Sequence, residues 1–349
     1  MIDAVFAIPG DHTQRTGGYI YEATVLKQLN HIGCETELLS LPASFPNPTP
    51  DDMDTTLAAL SRVPAHVPII LDGFLVGSLD PSRAQGIQAP LIGIVHHPLG
   101  LETGLAADRA EFLRQNEREM LTHMAHVMVP SPHTAEVLTT QFAVPEDKTT
   151  IALPGFARPL APQDPQDPPL ILSVGLLAPR KGHDVLLRAL SEILDLDWRA
   201  EIVGKTHDPS YAASLQALQH DLNLTNRVSF SGELDGTALA TRFQSASLFA
   251  LASRYEGYGM VLSEAIMHGL PVVSCHAGGI PDTVGSAGLL SDPDDWQCFS
   301  ANLRRILTEP QTYASLQSAA KTQALSLPSW SDTAQLFART IRTLQSTTQ

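Results

Sequence analysis

Residues Ala157–Leu170 read ARPLAPQDPQDPPL, and Pro159, Pro162, Pro165, Pro168 and Pro169 make this the most proline-dense part of the chain. Proline fixes φ and removes a backbone donor, so the stretch resists helix and sheet interiors and reads as a semi-rigid linker. What it separates decides the fold. Before it come short β-branched runs: ETELLSL near residue 38, PIILDG near 70, PLIGIVH near 93, HVMVPS near 128 and TIALPG near 152. After it come LILSVG near 172, RAEIVG near 201, RVSFSG near 229, LFALAS near 250 and PVVSCH near 273. Several are apolar almost without interruption, as strands buried on both faces would be. Helix-length stretches such as DVLLRALSEIL and SLQALQHDL lie between them.

Alternating β and α elements argue for parallel, doubly wound sheets. The expectation is an α/β chain of two Rossmann-like domains, residues 1–160 and residues 168–328, facing a cleft. In such sheets ligands bind at the carboxyl ends of the strands. A chain of 349 residues is too long for one comfortable core, which agrees with two domains.

Composition narrows the class. At 43% hydrophobic and 17% charged the chain is globular, not disordered or fibrous. No apolar run reaches the ~18 residues of a membrane helix. The start MIDAVFAIPGDHTQ has no basic n-region or long apolar h-region, so no secretory signal is expected. Cys34, Cys275 and Cys298 are scattered and odd in number, which fits a reducing, cytoplasmic compartment better than a disulfide scaffold. The histidines form no HxxxH pattern and the cysteines no CxxC, so no metal site is expected. Net charge is −15, with 9 Lys+Arg against 19 Asp+Glu in residues 1–165 and 13 against 18 in residues 166–349. Such a surface repels nucleic acid and anionic lipid headgroups. An anionic ligand must be held by a local cluster of donors.

Four stretches can supply one. Gly17 and Gly18 precede a segment with helical apolar spacing at Ile20, Ala23, Leu26 and Leu29. A glycine pair at a helix start lets a phosphate approach bare amides at the positive end of the dipole. It serves a simple tight turn equally well. No GxGxxG follows the first strand, which argues against an ordinary dinucleotide dehydrogenase. In SVGLLAPRKGHDVLLRAL (Ser173–Leu190), Arg180 and Lys181 lie on the loop leaving a strand's carboxyl end. There they can clamp a diphosphate, Lys as a point charge and Arg as a fork, although loop cations are commonly just solvated. In PLIGIVHHPLG, His96 and His97 end a buried strand. One of them can bond a sugar hydroxyl or polarise a reacting group, and the other is structural.

RYEGYGMVLSEA (Arg254–Ala265) holds Glu256 and Glu264 with seven residues between them. If a helix starts near Gly259, the amides of Gly259, Met260 and Val261 are free to hold phosphate oxygens. Glu256 then lies in the loop, and Glu264 about 7 Å further along the axis at ~1.5 Å per residue. One nucleotide diphosphate sugar fits this layout: sugar hydroxyls at Glu256, diphosphate at the helix start, ribose diol at Glu264. A carboxylate accepts two hydrogen bonds from a vicinal diol. The bland alternatives are a turn acid and a solvated helix face beside Ser263 and His268. A glycosidase pair of acid and base explains neither the glycines nor the Arg-Lys loop.

Over nearly its whole length the chain resembles the family 4 retaining glycosyltransferases of the GT-B fold. The resemblance rests on SVGLLAPRKG, RVSFSGELDGTALATRFQSASLFALASRYEGYGMVLSEAIMHGLPVV and AGGIPDTV. The closing PSWSDTAQLFARTIRTL resembles the family's last helix, which implies that residues 329–349 cross back onto the first domain. The resemblance implies that Glu256 contacts donor-sugar hydroxyls and Glu264 holds the ribose. It implies that Lys181 binds the diphosphate together with the amides of Gly259, Met260 and Val261. Gly17 and Gly18 would approach the phosphate, the base would rest near Gly232–Leu234, and His96 would be the active-site histidine, with His97 as its alternative. The implied chemistry uses no metal or other cofactor, the implied partners are a nucleotide sugar (uridine by family prevalence) and a small-molecule acceptor, and oligomeric state is left open.

Two departures stand out. Leu176 occupies a place where the family commonly has Arg, which leaves Arg180 to substitute. Leu153-Pro154-Gly155-Phe156 replaces the usual Pro-Asn-Gly loop. The expected function is transfer of a hexosyl group to a soluble small molecule or sugar. A lipid or polysaccharide precursor as acceptor, a GT-B nucleotide-sugar epimerase and a non-catalytic nucleotide-sugar binder are the alternatives.

Overall fold

The computed structural model describes residues 2–102, 104–159 and 163–347. Leu160, Ala161 and Pro162 of the proline-rich stretch lie outside the described residues. The chain forms two compact units, Met1–Gly155 with Pro328–Gln349, and Phe156–Leu327.

The first unit holds β1 (Ala4–Pro9), β2 (Thr36–Leu41), β3 (Ile69–Leu71), β4 (Leu91–Ile94), β5 (His126–Val129) and β6 (Thr149–Ile151). They form one sheet in the order β2-β1-β3-β4-β5-β6, parallel throughout. The second unit holds β7 (Leu170–Val174), β8 (Arg199–Val203), β9 (Val228–Gly232), β10 (Leu248–Leu251), β11 (Val272–Cys275) and β12 (Gly288–Ser291). Their order is β12-β11-β10-β7-β8-β9, again all parallel. Helices connect the strands in both units, so each is the doubly wound α/β fold that the alternation predicts.

The continuous apolar runs are explained by packing on both faces of the second sheet. Ile171, Ala200, Ile202, Leu248, Ala250 and Val273 enter one core cluster. Their neighbours Leu170, Leu172, Val203, Phe249, Leu251 and Val272 enter the other. Alternate residues of a strand point to opposite faces, and here both faces are packed, so both register positions are mostly apolar, with Ser173, Glu201 and Ser274 as buried exceptions.

Helix starts follow local chemistry. Ser131 caps the helix Pro132–Phe142 by accepting from Thr134 N at 3.0 Å. Asp208 does the same ahead of Pro209, accepting from Ser210 N at 2.8 Å. Such caps satisfy amides that have no partner inside the helix, and proline at the first helical position loses nothing there.

Two local expectations need correction. β12 is absent from the run of predicted strands, because GLLS is short, begins with glycine and is an edge strand only partly covered along most of its length. The first helix spans Gly17–His31, so the glycine pair sits inside its first turn with Thr16 as cap. Its buried face is Tyr21, Glu22, Val25 and Leu29. Ile20, placed on the core stripe from spacing, is 39% exposed. A buried acid had taken a place that apolar spacing could not recognise.

The C-terminal helix Trp330–Thr347 packs within the first unit. Trp330 lies edge-on to Tyr21 with ring centroids 5.7 Å apart, and Thr333 Oγ1 donates to Leu153 O at 2.8 Å. The departure at Leu153–Phe156 fits this contact. A Cβ on Gly155 would stand 2.1 Å from Trp330 N, so only glycine lets the two backbones meet. Beyond the undescribed residues, the proline-rich stretch is docked, not free. Asp164 N and Gln166 N donate to Gln244 O and Ser245 O, each at 3.0 Å.

Candidate active site

In the second unit β10 ends at Leu251, and the loop to the helix Met260–Met267 carries Glu256. Gly259 caps that helix at φ +86°, a left-handed conformation that costs other residues strain. The loop backbone is clamped from outside. Gly279 N donates to Glu256 O at 2.8 Å, and Thr283 Oγ1 donates to Tyr258 O at 2.6 Å. A Cβ on Gly278 would stand 2.2 Å from Glu256 O. The Ala-Gly-Gly turn therefore presses directly on the glutamate loop.

The loop after β7 meets it from the other side. A Cβ on Gly182 (φ +64°) would stand 1.9 Å from Ala252 O, which makes backbone-to-backbone contact possible only for glycine there. That contact delivers Lys181 and Arg180. Lys181 Nζ donates to Glu256 Oε1 at 2.6 Å, and Arg180 Nη1 reaches Glu256 Oε2 at 3.3 Å and Tyr255 O at 2.8 Å. Ser253 Oγ donates to Glu256 Oε1 at 2.7 Å. Glu256 is buried, with 6% exposure. Burial pushes its pKa up, but Lys181 and Arg180, with the Lys181 and Ser253 hydrogen bonds, outweigh this and hold the carboxyl below its usual range. It is an anion locked between two cations.

Glu264 differs. It projects from the second turn of the helix Met260–Met267, and its carboxyl makes no hydrogen bond or ion pair among the described residues. Burial pushes its pKa up to about 7. Its helix neighbours are not a solvated polar side: Ser263 is buried and pairs with Tyr258 OH at 2.8 Å, and His268 stacks on Phe243 with ring centroids 5.2 Å apart. Met260 and Val261 occupy the first turn. Gly232, at φ +68°, ends β9 with open space where a Cβ would be, while the Leu234 side chain packs on the core. β7 and β8 lie between β9 and β10. Leu176 turns its carbonyl to the buried His183, whose Nε2 lies 3.2 Å away.

Sequence reading missed the support beneath this cluster. Arg254 Nη2 donates to Asp184 Oδ2 at 2.8 Å and its Nη1 to Asp184 Oδ1 at 3.1 Å. Arg254 Nε donates to Asp294 Oδ1 at 2.8 Å, and Nη1 also reaches Pro179 O. One guanidinium thus ties the glutamate loop to the Arg-Lys loop and to the loop after β12. Asp184 is itself fixed by Tyr211 OH at 2.7 Å. Burial alone would raise Asp184, but Arg254 and Tyr211 hold its pKa low. The signal was present, since Arg254 opens the quoted stretch and Asp184 follows Arg-Lys-Gly-His.

In the first unit, His96 follows β4 and Gly18 lies against its ring. A Cβ on Gly18 would stand 3.4 Å from His96 Cδ2 and 3.6 Å from Nε2. His96 Nε2 lies 3.2 Å from Oε1 of the buried Glu22. Asp72, at the end of β3, hydrogen-bonds Glu22 and accepts from Phe74 N at 2.7 Å. Burial lowers the His96 pKa to about 4, so the ring is neutral at physiological pH. The structure joins Gly18 and His96 and adds Glu22 and Asp72, which no sequence motif had singled out. Gly17 begins the same helix and is exposed.

Among the described residues no three His, Cys, Asp or Glu side chains are grouped to hold a metal ion. No helix among the described residues is long and apolar enough to cross a membrane.

Residues 161–323 match the family described as glycosyl transferases group 1. A GDP-mannose-dependent alpha-(1-6)-phosphatidylinositol monomannoside mannosyltransferase of Mycolicibacterium smegmatis is 31% identical over 47% of this chain and 45% of its own length. A mannosylfructose-phosphate synthase of Agrobacterium fabrum is 29% identical over 48% of this chain and 38% of its own. The matched region thus spans about half or less of these relatives. Among solved structures, the sucrose-phosphate synthase of Thermosynechococcus elongatus superposes with a TM-score of 0.84 at 21% identity, covering 99% of this chain and 100% of that one. Anabaena HepE in complex with UDP-glucose superposes at 0.77 with 19% identity, covering 97% and 99%. Residues 161–323 thus carry the match to the glycosyl transferases group 1, on a chain that has the GT-B fold across both its units.

Proposed function

We propose that the protein is a retaining glycosyltransferase that moves a hexosyl group from a nucleotide diphosphate sugar to an acceptor hydroxyl. The observation that carries this reading is the Lys181–Glu256–Arg180 cluster beside the amino end of the helix Met260–Met267. In this account Glu256 meets the sugar hydroxyls and Glu264 accepts from the ribose diol. Lys181, Arg180 and the amides of Gly259, Met260 and Val261 neutralise the diphosphate as it leaves. The bond from the anomeric carbon to the phosphate oxygen breaks first. The acceptor oxygen then attacks from the same face, and its proton passes to the departing phosphate oxygen. Gly17 and Gly18 offer backbone to the phosphate, the base rests at Gly232–Leu234, and His96 meets a substrate oxygen.

Uridine is the proposed base, supported by UDP-glucose in HepE. The GDP-mannose dependence of the mycobacterial relative makes guanine its competitor. A soluble acceptor is proposed, supported by a relative named mannosylfructose-phosphate synthase. A lipid acceptor is the second reading, favoured by the phosphatidylinositol mannoside named for another. The test is a thermal-shift screen with UDP-, GDP- and ADP-sugars, since a ligand that binds only the native state raises its apparent stability. Stabilisation by one nucleotide series, with transfer to sugars or sugar phosphates, supports the proposal. No stabilisation by any of them counts against it. Isomerisation of the donor sugar without an acceptor would favour an epimerase.

A further inference from the structure

The helix Gly17–His31 buries an acid, and the site beside it gives that acid a task. Three separate elements bring Glu22, Asp72 and His96 to one point in the first unit. The Nε2–Cδ2 edge of His96 is walled in by Gly18 and by Glu22 Oε1 at 3.2 Å. Tyr21 stands edge-on to the ring with centroids 5.1 Å apart, its hydroxyl tied to Ala152 O at 2.8 Å. His96 keeps 27% of its side chain exposed, while Glu22 has none. The ring is therefore gripped along one edge and keeps part of its surface exposed.

Two carboxyls buried together cannot both be ionised, because each charge lacks water and repels the other. Burial raises Glu22 to about 8, with an opposing hydrogen bond from Asp72. Burial and the neighbouring Glu22 raise Asp72 as well. His96 is neutral for the same reason of burial. A neutral carboxylic acid facing a neutral imidazole nitrogen can accept from its N–H or donate to it when bare, and the O–H donating to the bare nitrogen joins the stronger donor to the stronger acceptor.

We propose that Glu22 is the positioning residue of His96: it donates its O–H to Nε2, which places the ring hydrogen on Nδ1 and makes Nδ1–H the group that His96 offers to a hydroxyl or phosphate oxygen of the substrate. The role of the tautomer rests on the reading of His96 as a substrate-facing residue. The tautomer itself does not. Asp72 holds Glu22 in place through its own hydrogen bond and is anchored at Phe74 N. A neutral N–H donor keeps the site free of an extra cation and needs no proton transfer to work.

The test is nitrogen-15 NMR of the full chain, with the His96 signals identified by their loss in His96→Gln. Below pH 7 the wild-type ring is expected to carry its hydrogen on Nδ1. As pH rises through the Glu22 value of about 8, the new carboxylate accepts from Nε2–H and the tautomer reverses. In Glu22→Gln the amide N–H still donates, so the Nδ1–H tautomer persists across that range without the reversal. In Glu22→Leu, similar in size and unable to donate, the preference is lost and turnover falls about 10-fold or more, and Gln recovers most of that loss. An Nε2–H tautomer in the wild type below pH 7, or no reversal near pH 8, overturns the proposal. If the Leu variant does not fold, the wild-type titration and the Gln variant decide. A protein with the expected tautomer that transfers no sugar would sink the proposed function and leave this inference standing. Sugar transfer with the opposite tautomer would do the reverse.

Discussion

Lys181 Nζ and Glu256 Oε1 lie 2.6 Å apart, although the two residues belong to different loops 75 positions apart in sequence. The contact exists because β7 and β10 are neighbours in the sheet, so the loops at their carboxyl ends must meet. A cation and a carboxylate are thereby held together in the arrangement that the proposed function assigns to phosphate and sugar hydroxyls. Pre-organisation of this kind is what electrostatic catalysis requires.

Removing either partner should be costly. Lys181→Ala and Glu256→Ala are each expected to lower turnover by about 100-fold or more, in line with the loss of one pre-organised electrostatic group. Steady-state kinetics on folded variants checks this. Two fully active variants would mean the site is elsewhere.

The free carboxyl of Glu264 makes a pH prediction. Its folded pKa of about 7 lies above its ordinary value of 4.5. The folded state therefore holds a proton that the unfolded state has released across that interval, and its contribution to stability is full below pH 4.5 and fades as pH rises towards 7. Glu264→Gln is expected to melt a few degrees above the wild type at pH 8 and level with it at pH 4.5, on the scale of about 2–4 °C per kcal/mol for chains near this size. Equal melting points at pH 8 would show that Glu264 is not penalised by burial. Nucleotide affinity should move oppositely, rising with pH through 7 in the wild type as the carboxylate forms and staying flat in Glu264→Gln.

Gly259 sits at the hinge between loop and helix. Alanine there would hold φ at +86° and place its Cβ 2.7 Å from Leu262 Cδ1. The expected cost is about 1–3 kcal/mol of stability, read by chemical denaturation, with weaker donor binding because the helix-start amides shift. A variant with unchanged stability would mean that the turn relaxes without strain.

Arg254 separates support from chemistry. Arg254→Ala leaves Asp184, half-buried, with Tyr211 as its one side-chain partner among the described residues, and frees three loops from one another. The expected loss is about 1–3 kcal/mol of stability, the range for a group left unsatisfied on burial, together with a fall in kcat/KM. Methylguanidine added to the variant should not restore activity, because the clamp acts through geometry. Full activity in Arg254→Ala would remove it from the site.

Much of the fold was legible because both faces of each sheet are covered, which turns strands such as LFAL and IIL into unbroken apolar runs. β12 was not, because GLLS is short, begins with glycine and is only partly covered along most of its length. Glu256 and the Arg-Lys pair, which the structure brings together, were legible because glycines and charges stand out in short loops. Glu22 and Asp72 were not. They lie 50 positions apart on a helix and at a strand end, and only the adjacency of β1, β3 and β4 brings them to His96. Glu22 also disguised the first helix, since a buried acid shifts the core face away from Ile20.

In the proposed function, Glu256 and Glu264 grip opposite ends of one nucleotide sugar. The most direct measurement is calorimetric affinity for the free nucleoside diphosphate and for the matching sugar nucleotide, using wild type, Glu256→Gln and Glu264→Gln. Glu264→Gln should weaken both ligands by about the same factor, on the order of 10-fold for a lost hydrogen bond to a charged group. Glu256→Gln should weaken the sugar nucleotide and leave the diphosphate nearly unchanged. Equal losses for both ligands in Glu256→Gln, or no loss in either variant, would contradict the assignment.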